Sequence, residues 1–398
     1  MQQIENRPTP DQPAFLNLGF RPFFTVAALF AVLSMLVWMG VTAFGWQTDF
    51  TALPVITWHA HEMIYGYALA VIAGFLLTAV RNWTGVRTLH GTPLLLLLLL
   101  WLTGRLLLLM GTAVPLLLIA LVDSLFMLWL IGALLVPVIK VRQWKQMGIV
   151  SKLLLLLLSN GVFYAGVLGM IEDGIRIGLY SGVYLVIALI FVMGRRVMPM
   201  FIANGVGYPV QLKNRTWLDM ASLVLFLVFW IADIARPDTL PVALLAVTLA
   251  GLHAIRLAGW YTPGIWNKPL LWVLYVGYGW LVAGFALKAA VFFFGISPFL
   301  PLHAFTYGGI GMITLGMMSR VTLGHTGRNV FEPPTALFWV FTAMLTGTAF
   351  RVLLPLFDPG RYPVWIGISQ TLWITAFTAF LVIYLPMLTR PRVDGQPG

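Results

Sequence analysis

Long apolar stretches follow one another through almost the whole of this 398-residue chain, and charged residues hardly enter them. Twelve such segments fall at about 23–45, 55–80, 92–111, 113–137, 150–170, 176–194, 216–234, 240–258, 268–294, 302–320, 333–354 and 363–388. Each reaches or approaches the roughly 20 residues an α-helix needs to cross the hydrocarbon of a bilayer. Only 9% of the residues are charged and 60% are hydrophobic, too little charge to clothe a soluble domain. The expected fold is all-α: a polytopic membrane bundle of about twelve transmembrane helices. It reads as one transmembrane domain over 23–388, between an N-terminal segment, 1–22, and a tail, 389–398.

The net charge of +11 would suit nucleic acid if it formed a face. Instead the basic residues sit in short loops between apolar segments, so no nucleic-acid partner is expected. Of the 24 Lys and Arg, 18 fall on one side of the expected membrane, 3 on the other, and Arg105, Lys288 and Arg351 within spans. An excess of this kind marks the cytoplasmic side. Both termini are therefore expected in the cytoplasm and the chain in a bacterial inner membrane, with lipid as its solvent. The polar, proline-rich first 22 residues do not read as a cleavable signal. Cysteine is absent, which excludes disulfides, iron–sulfur clusters, thiolate-ligated haem and Cys-x-x-Cys-His haem attachment.

The second and tenth segments match at an offset of 242. Over 25 positions, six are identical: His61/His303, Tyr65/Tyr307, Gly66/Gly308, Gly74/Gly316, Thr84/Thr326 and Gly85/Gly327. Each copy opens with a His near the outer surface. A Tyr follows one turn below on the same face, with a Gly beside it that lets a backbone or a flat cofactor come close. Two imidazoles at one depth on helices running the same way suit the axial ligands of a haem iron. Alternatively, each is an interfacial His packing beside Trp58 or Pro301.

His59 points away from His61 on a helix; it either binds a second metal, orients a ligand, or belongs to the helix cap. Glu62, a carboxylate in a span, is expected to be functional, bonding a ligand His or relaying a proton. Tyr65 and Tyr307 belong to the same cofactor-binding set. Near the cytoplasm, His253 and His325 with Met198 or Met200 read either as a second metal site or as a polar surface. His90 reads as a loop residue. Within the spans, Arg105 and Asp123 are expected to pair, since an unpaired charge at mid-span costs about 2.5–3.5 kcal/mol on insertion scales. The sharper alternative is that Arg105, Lys288 or Arg351 neutralises haem propionates.

Six motifs run in order through nearly the whole chain. They are Leu18-Gly19-Phe20-Arg21-Pro22-Phe23-Phe24, Trp58-His59-Ala60-His61-Glu62-Met63, Gly74-Phe75-Leu76-Leu77-Thr78-Ala79, Asn82-Trp83-Thr84-Gly85, Gly194-Arg195-Arg196 with Asn204-Gly205, and Arg320 with Gly324-His325-Thr326-Gly327-Arg328. Together they resemble the NnrS family. The resemblance implies a twelve-span membrane protein holding haem, of b type, and copper, which protects cells from nitric oxide during denitrification or low-oxygen growth. The family pattern often carries a His in the ninth span where this chain has Tyr275. In arrangement alone the chain is also similar to haem–copper oxidases and nitric oxide reductases, whose low-spin haem ligands lie on the second and tenth of twelve spans. Their copper ligands on the sixth and seventh have no His counterpart here.

The leading expectation is thus a haem- and copper-containing protein of the nitric oxide stress response, binding nitric oxide or supporting redox chemistry at a bis-His haem. Its electron donor and any catalytic residue are left unassigned. Two other classes stand beside it: a proton-coupled secondary transporter using Glu62, Asp123 and Lys288, and a haem-based gas sensor without turnover.

Overall fold

The computed structural model describes residues 13–47 and 51–396, and among these every regular element is helical. Of the expected terminal segments, residues 1–12 and 397–398 lie outside the described residues. Twelve helical spans follow: α1 (Phe20–Phe44), α2 (Val55–Thr84), α3 (Gly91–Leu108), α4 (Leu116–Lys140), α5 (Met147–Val167), α6 (Gly174–Gly205), α7 (Thr216–Ala235), α8 (Leu240–Gly259), α9 (Pro269–Phe294), α10 (299–325), α11 (Leu337–Val352) and α12 (Tyr362–Thr389). Eleven of the helices are long and apolar enough to cross a membrane. The twelfth span, α10, is broken into shorter pieces, the longest of 14 residues. The chain is a multi-pass membrane protein.

Two compact units make up the chain. The first comprises the described residues up to Leu185, Met318–Val330 and those from Phe377 on; the second comprises Val186–Met317 and Phe331–Ala376. Helices α6, α10 and α12 contribute to both.

Which face of each helix meets protein is almost invisible in the sequence, because lipid and core are equally apolar. Helix α3 contains seven consecutive leucines, Leu94–Leu100. Leu94, Leu97, Leu98, Trp101, Arg105 and Leu108 are buried, whereas Leu96, Leu99, Leu102 and Leu106 are exposed. The spacing of three and four is that of one helical face. Helix α4 repeats it, with Ile119, Asp123, Phe126, Met127, Leu130 and Leu134 inside and Leu117, Leu121, Leu125 and Leu128 outside.

Two spans run longer than the apolar pattern suggests. The sequence ends the sixth at residue 194, but α6 continues through Arg195, Arg196 and Pro199 to Gly205. Arg195 is tolerated there because its Nη1 bonds Asp219 Oδ2 at 3.2 Å. Helix α10 likewise continues to His325.

The internal repeat is present in backbone geometry as well as in identity. In α2 an α-helical segment ends on His61, and a π-helical turn covers Glu62–Ala68. In α10 an α-helical segment ends on His303, and a π-helical turn covers Ala304–Gly311. The two wide turns begin at corresponding positions, 242 apart. Such turns are rare and concentrate at functional sites. Both copies close on Thr-Gly, with Gly85 at φ 69° and Gly327 at φ 77° in the left-handed conformation open to glycine.

Candidate functional site

In the first unit the π-helical turn of α2 brings Glu62 onto the face of α3 and α4. Glu62 Oε1 accepts bonds from His61 Nδ1 at 3.0 Å and Arg105 Nη1 at 2.5 Å. Arg105 Nη2 pairs with Asp123 Oδ1, the expected partnership between α3 and α4. Asp123 Oδ2 accepts from Asn160 Nδ2 at 3.1 Å and from the Tyr164 hydroxyl at 3.2 Å. The ring closes where Asn160 Oδ1 accepts from His61 Nε2 at 3.0 Å. Five side chains from four helices thus form one closed hydrogen-bonded circuit, all buried.

The circuit fixes its own protonation pattern. Arginine only donates, and ionised carboxylates only accept. Asn160 must turn its Nδ2 to Asp123, so its oxygen faces His61. Both imidazole nitrogens of His61 therefore face acceptors, an arrangement satisfied by the doubly protonated ring. Removing one charged partner of a buried pair such as Arg105–Asp123 costs about 3–5 kcal/mol, because the other charge is left uncompensated. Aromatic rings wall the site: Phe163 stacks on His61 at 4.6 Å, and Tyr65 lies at 5.0 Å. Glycines make room for it. A Cβ at Gly66 would lie 3.0 Å from Arg105 Nη1, and one at Gly104 would lie 3.2 Å from Asp123 Oδ1.

In the second unit the repeat is built with different chemistry. Nδ1 of His303 donates to the carbonyl of Phe299 at 2.7 Å, and Arg351 Nη2 donates to Nε2 at 2.9 Å. Arg351 Nη1 bonds the Tyr362 hydroxyl at 2.9 Å. Here the ring is neutral, with its lone pair on Nε2. The two copies correspond in a further respect: the helix after each π-interrupted span supplies an arginine, Arg105 or Arg351. The paired tyrosines act alike, Tyr65 donating to the carbonyl of Gly178 at 2.7 Å and Tyr307 to that of Ser369 at 2.8 Å.

Lys288 is held at 2.8 Å from Asp233 and 2.9 Å from Asp238. His253 is fully buried in the second unit, stacked on Phe191 at 4.0 Å. Its Nδ1 lies 2.6 Å from the Tyr278 hydroxyl and 3.1 Å from Arg256 Nη1. Since Arg256 only donates, the ring proton belongs on Nε2. Arg256 Nη2 in turn bonds Asp219 Oδ1 at 2.9 Å and Ser222 Oγ at 2.7 Å. His325 belongs to the first unit at this point of α10, its Nε2 3.5 Å from Asn82 Nδ2. Met198 is buried and Met200 exposed. His59 stacks on Trp38 at 4.6 Å, and His90 Nδ1 bonds the Thr88 carbonyl at 2.9 Å.

The His303 set matches a ligating imidazole at Nδ1 alone, because its Nε2 lone pair accepts from Arg351 Nη2 at 2.9 Å. A ligating imidazole characteristically donates its other N–H to a carbonyl or carboxylate, as Nδ1 does to Phe299. The His61 set, as arranged, does not fit, because its Nε2 carries a proton directed at Asn160. Among the described residues no three of His, Asp and Glu are grouped so as to hold a metal ion.

Asn160, Tyr164, Asp219 and Ser222 escape a reading of the sequence that starts from the histidines, their repeat and the charges it places within spans. Asn160 and Asp219 were detectable as polar side chains inside apolar segments.

No curated protein matches the chain. The family model described as NnrS protein matches residues 14–392. With nearly its whole length covered, from the segment before α1 to the tail after α12, this chain belongs to the NnrS family.

Proposed function

We propose that the protein acts in the nitric oxide stress response from the bacterial inner membrane, with both termini cytoplasmic, and that it carries haem and copper. Family membership supports the role. The observation that carries the cofactor reading is the duplicated His at the start of a π-helical turn, each copy followed by an arginine-bearing helix. His303 is the candidate iron ligand: Nδ1–H is fixed by the Phe299 carbonyl, and Nε2 would take iron in place of the Arg351 N–H that it accepts. Arg351 beside it supplies positive charge suited to a propionate. Ferrous haem, when bound, supplies an avid site for nitric oxide. His61 Nε2 is engaged with Asn160 Oδ1, so His61 is not offered as a ligand. Copper rests on the family alone.

Metal analysis and nitric oxide consumption by the purified, reconstituted protein test this reading. Iron at one or more per chain with consumption of nitric oxide supports an enzyme. Iron with stoichiometric uptake alone supports a binder or sensor. Absence of iron from protein made with ample haem rejects the cofactor reading. A second reading, proton-coupled transport, draws on the buried His61–Glu62–Arg105–Asp123 circuit, since intramembrane ionisable groups often mark proton paths. Substrate-driven proton uptake into liposomes, abolished by Glu62→Gln, would favour it.

A further inference from the structure

Four of the sequence motifs meet at one end of the first unit, away from His61, and the haem reading uses none of them. The backbone N–H of Phe20 bonds Thr78 Oγ1 at 3.1 Å, joining the starts of α1 to the last turns of α2. The Phe20 ring lies 5.6 Å from that of His325, and Asn82 approaches His325 from α2. Arg21 Nη1 donates to the carbonyls of Met387, Leu388 and Arg390 at 3.2, 3.0 and 2.7 Å. It thereby caps the end of α12, whose last carbonyls have no partner in their own helix.

Charge accumulates here. The positive charges of Arg328 and Arg392 act on Arg21, and those of Arg392, Arg81 and Arg21 act on His325. Arg390 acts on Arg328 in the same way. Against these five guanidiniums the described residues set the carboxylate of Asp394, which Arg392 grips with Nε at 2.9 Å and Nη2 at 2.5 Å. Loop arginines are ordinary at a cytoplasmic surface, but Arg21 is not in a loop. It is fully buried, and its Nε and Nη2 have no hydrogen-bond partner; nor has the buried Nε of Arg81. Buried donors without acceptors, in a field of like charge, mark a place where an anion completes the structure.

The tail shows how an anion sits there. Val393 N–H bonds the Thr326 carbonyl at 3.2 Å, and Arg392 Nη1 bonds that of His325 at 3.2 Å. The Asp394 carboxylate rests on Gly327, where a Cβ would come within 2.8 Å of it. Asp394 pairs with Arg392, and among the described residues no ion pair joins a carboxylate to Arg21, Arg81 or Arg328.

We propose that Arg21, Arg81 and Arg328, with His325 beside them, form a binding site for a phosphoryl group, carried either by an anionic lipid headgroup or by a free phosphate species. Several guanidiniums around one multiply charged group of oxygens is the recognition that arginine favours.

The test uses the full-length protein in detergent and in lipid. Inorganic phosphate is compared with chloride at matched ionic strength by thermal unfolding. Native mass spectrometry then counts phosphatidylglycerol against phosphatidylcholine retained from vesicles containing both. Specific stabilisation by phosphate identifies a free phosphate species; preferential retention of phosphatidylglycerol identifies a headgroup; either supports the site. An Arg81→Gln/Arg328→Gln variant, which spares the capping Arg21, should bind about tenfold more weakly per guanidinium removed while melting normally in chloride. Equal behaviour in phosphate and chloride together with no lipid preference overturns the proposal. So does full binding by the double variant.

Discussion

His61 Nε2 donates to Asn160 Oδ1 at 3.0 Å while its Nδ1 donates to Glu62 Oε1 at the same distance. One imidazole thus bridges the π-helical turn of α2 to α5, and the amide of Asn160 passes the connection on to Asp123. Within the circuit Arg105 bonds a carboxylate on either side, Glu62 and Asp123, and that is the basis of the first expectation.

Arg105→Met should destabilise the protein by about 3–5 kcal/mol, since Glu62 and Asp123 would be left buried and unpaired. Asn160→Leu should cost less, about 1–3 kcal/mol, the penalty of unsatisfied buried partners. The combined Arg105→Met/Asp123→Leu change should cost clearly less than the two single changes added together. Unfolding in mixed detergent micelles compares the wild type, the Arg105→Met, Asp123→Leu and Asn160→Leu variants and the double variant; strict additivity would show that these groups do not act as a unit.

Glycine positions give a steric test of the same site. Gly66→Ala places a Cβ 2.7 Å from Phe30 and 3.0 Å from Arg105 Nη1, and a loss of about 1–3 kcal/mol is expected from overpacking. Gly132→Ala in α4 meets nothing within 4 Å and should be neutral or stabilising by up to about 1 kcal/mol. Equal melting temperatures for the two variants would contradict the packing described.

Much of the architecture was legible from elementary constraints. Span count follows from the length needed to cross hydrocarbon, and the His61/His303 correspondence from identity at a fixed offset. The Arg105–Asp123 partnership follows from the cost of a lone charge. The faces of α3 and α4 were not legible, because Leu96 facing outward and Leu97 facing inward are chemically the same residue. Nor were the π-helical turns, which leave no compositional mark. Asn160 was overlooked because an uncharged amide stands out less than a charge; only the geometry shows that it closes the circuit on His61.

Lys288→Met should lower stability by about 3–5 kcal/mol, because the buried Asp233 would lose the cation that compensates it. The account assigns Lys288 to its two carboxylates, so an absorption spectrum unchanged from wild type is expected in the folded fraction. A shifted spectrum would move Lys288 to the cofactor.

The docked tail carries a pH signature. Hydrogen bonds from Arg392 lower the Asp394 carboxyl from 3.8 to about 2. A depressed carboxylate contributes stability that is fully present above its ordinary value and is lost as pH falls through the lowered one. Amide exchange in residues 391–396 should therefore stay slow at pH 5 and accelerate between about pH 4 and 2. Asp394→Asn should abolish that acid step, and acceleration that begins above pH 5 would contradict the assignment.

The most direct measurement is the optical spectrum of the purified protein, reduced and oxidised, beside that of His303→Ala at equal protein concentration. A Soret band is expected in the wild type and its loss or marked change in the variant, because the imidazole proposed to hold the iron is removed. A wild type without the band, or a variant with the same band in full, would contradict it.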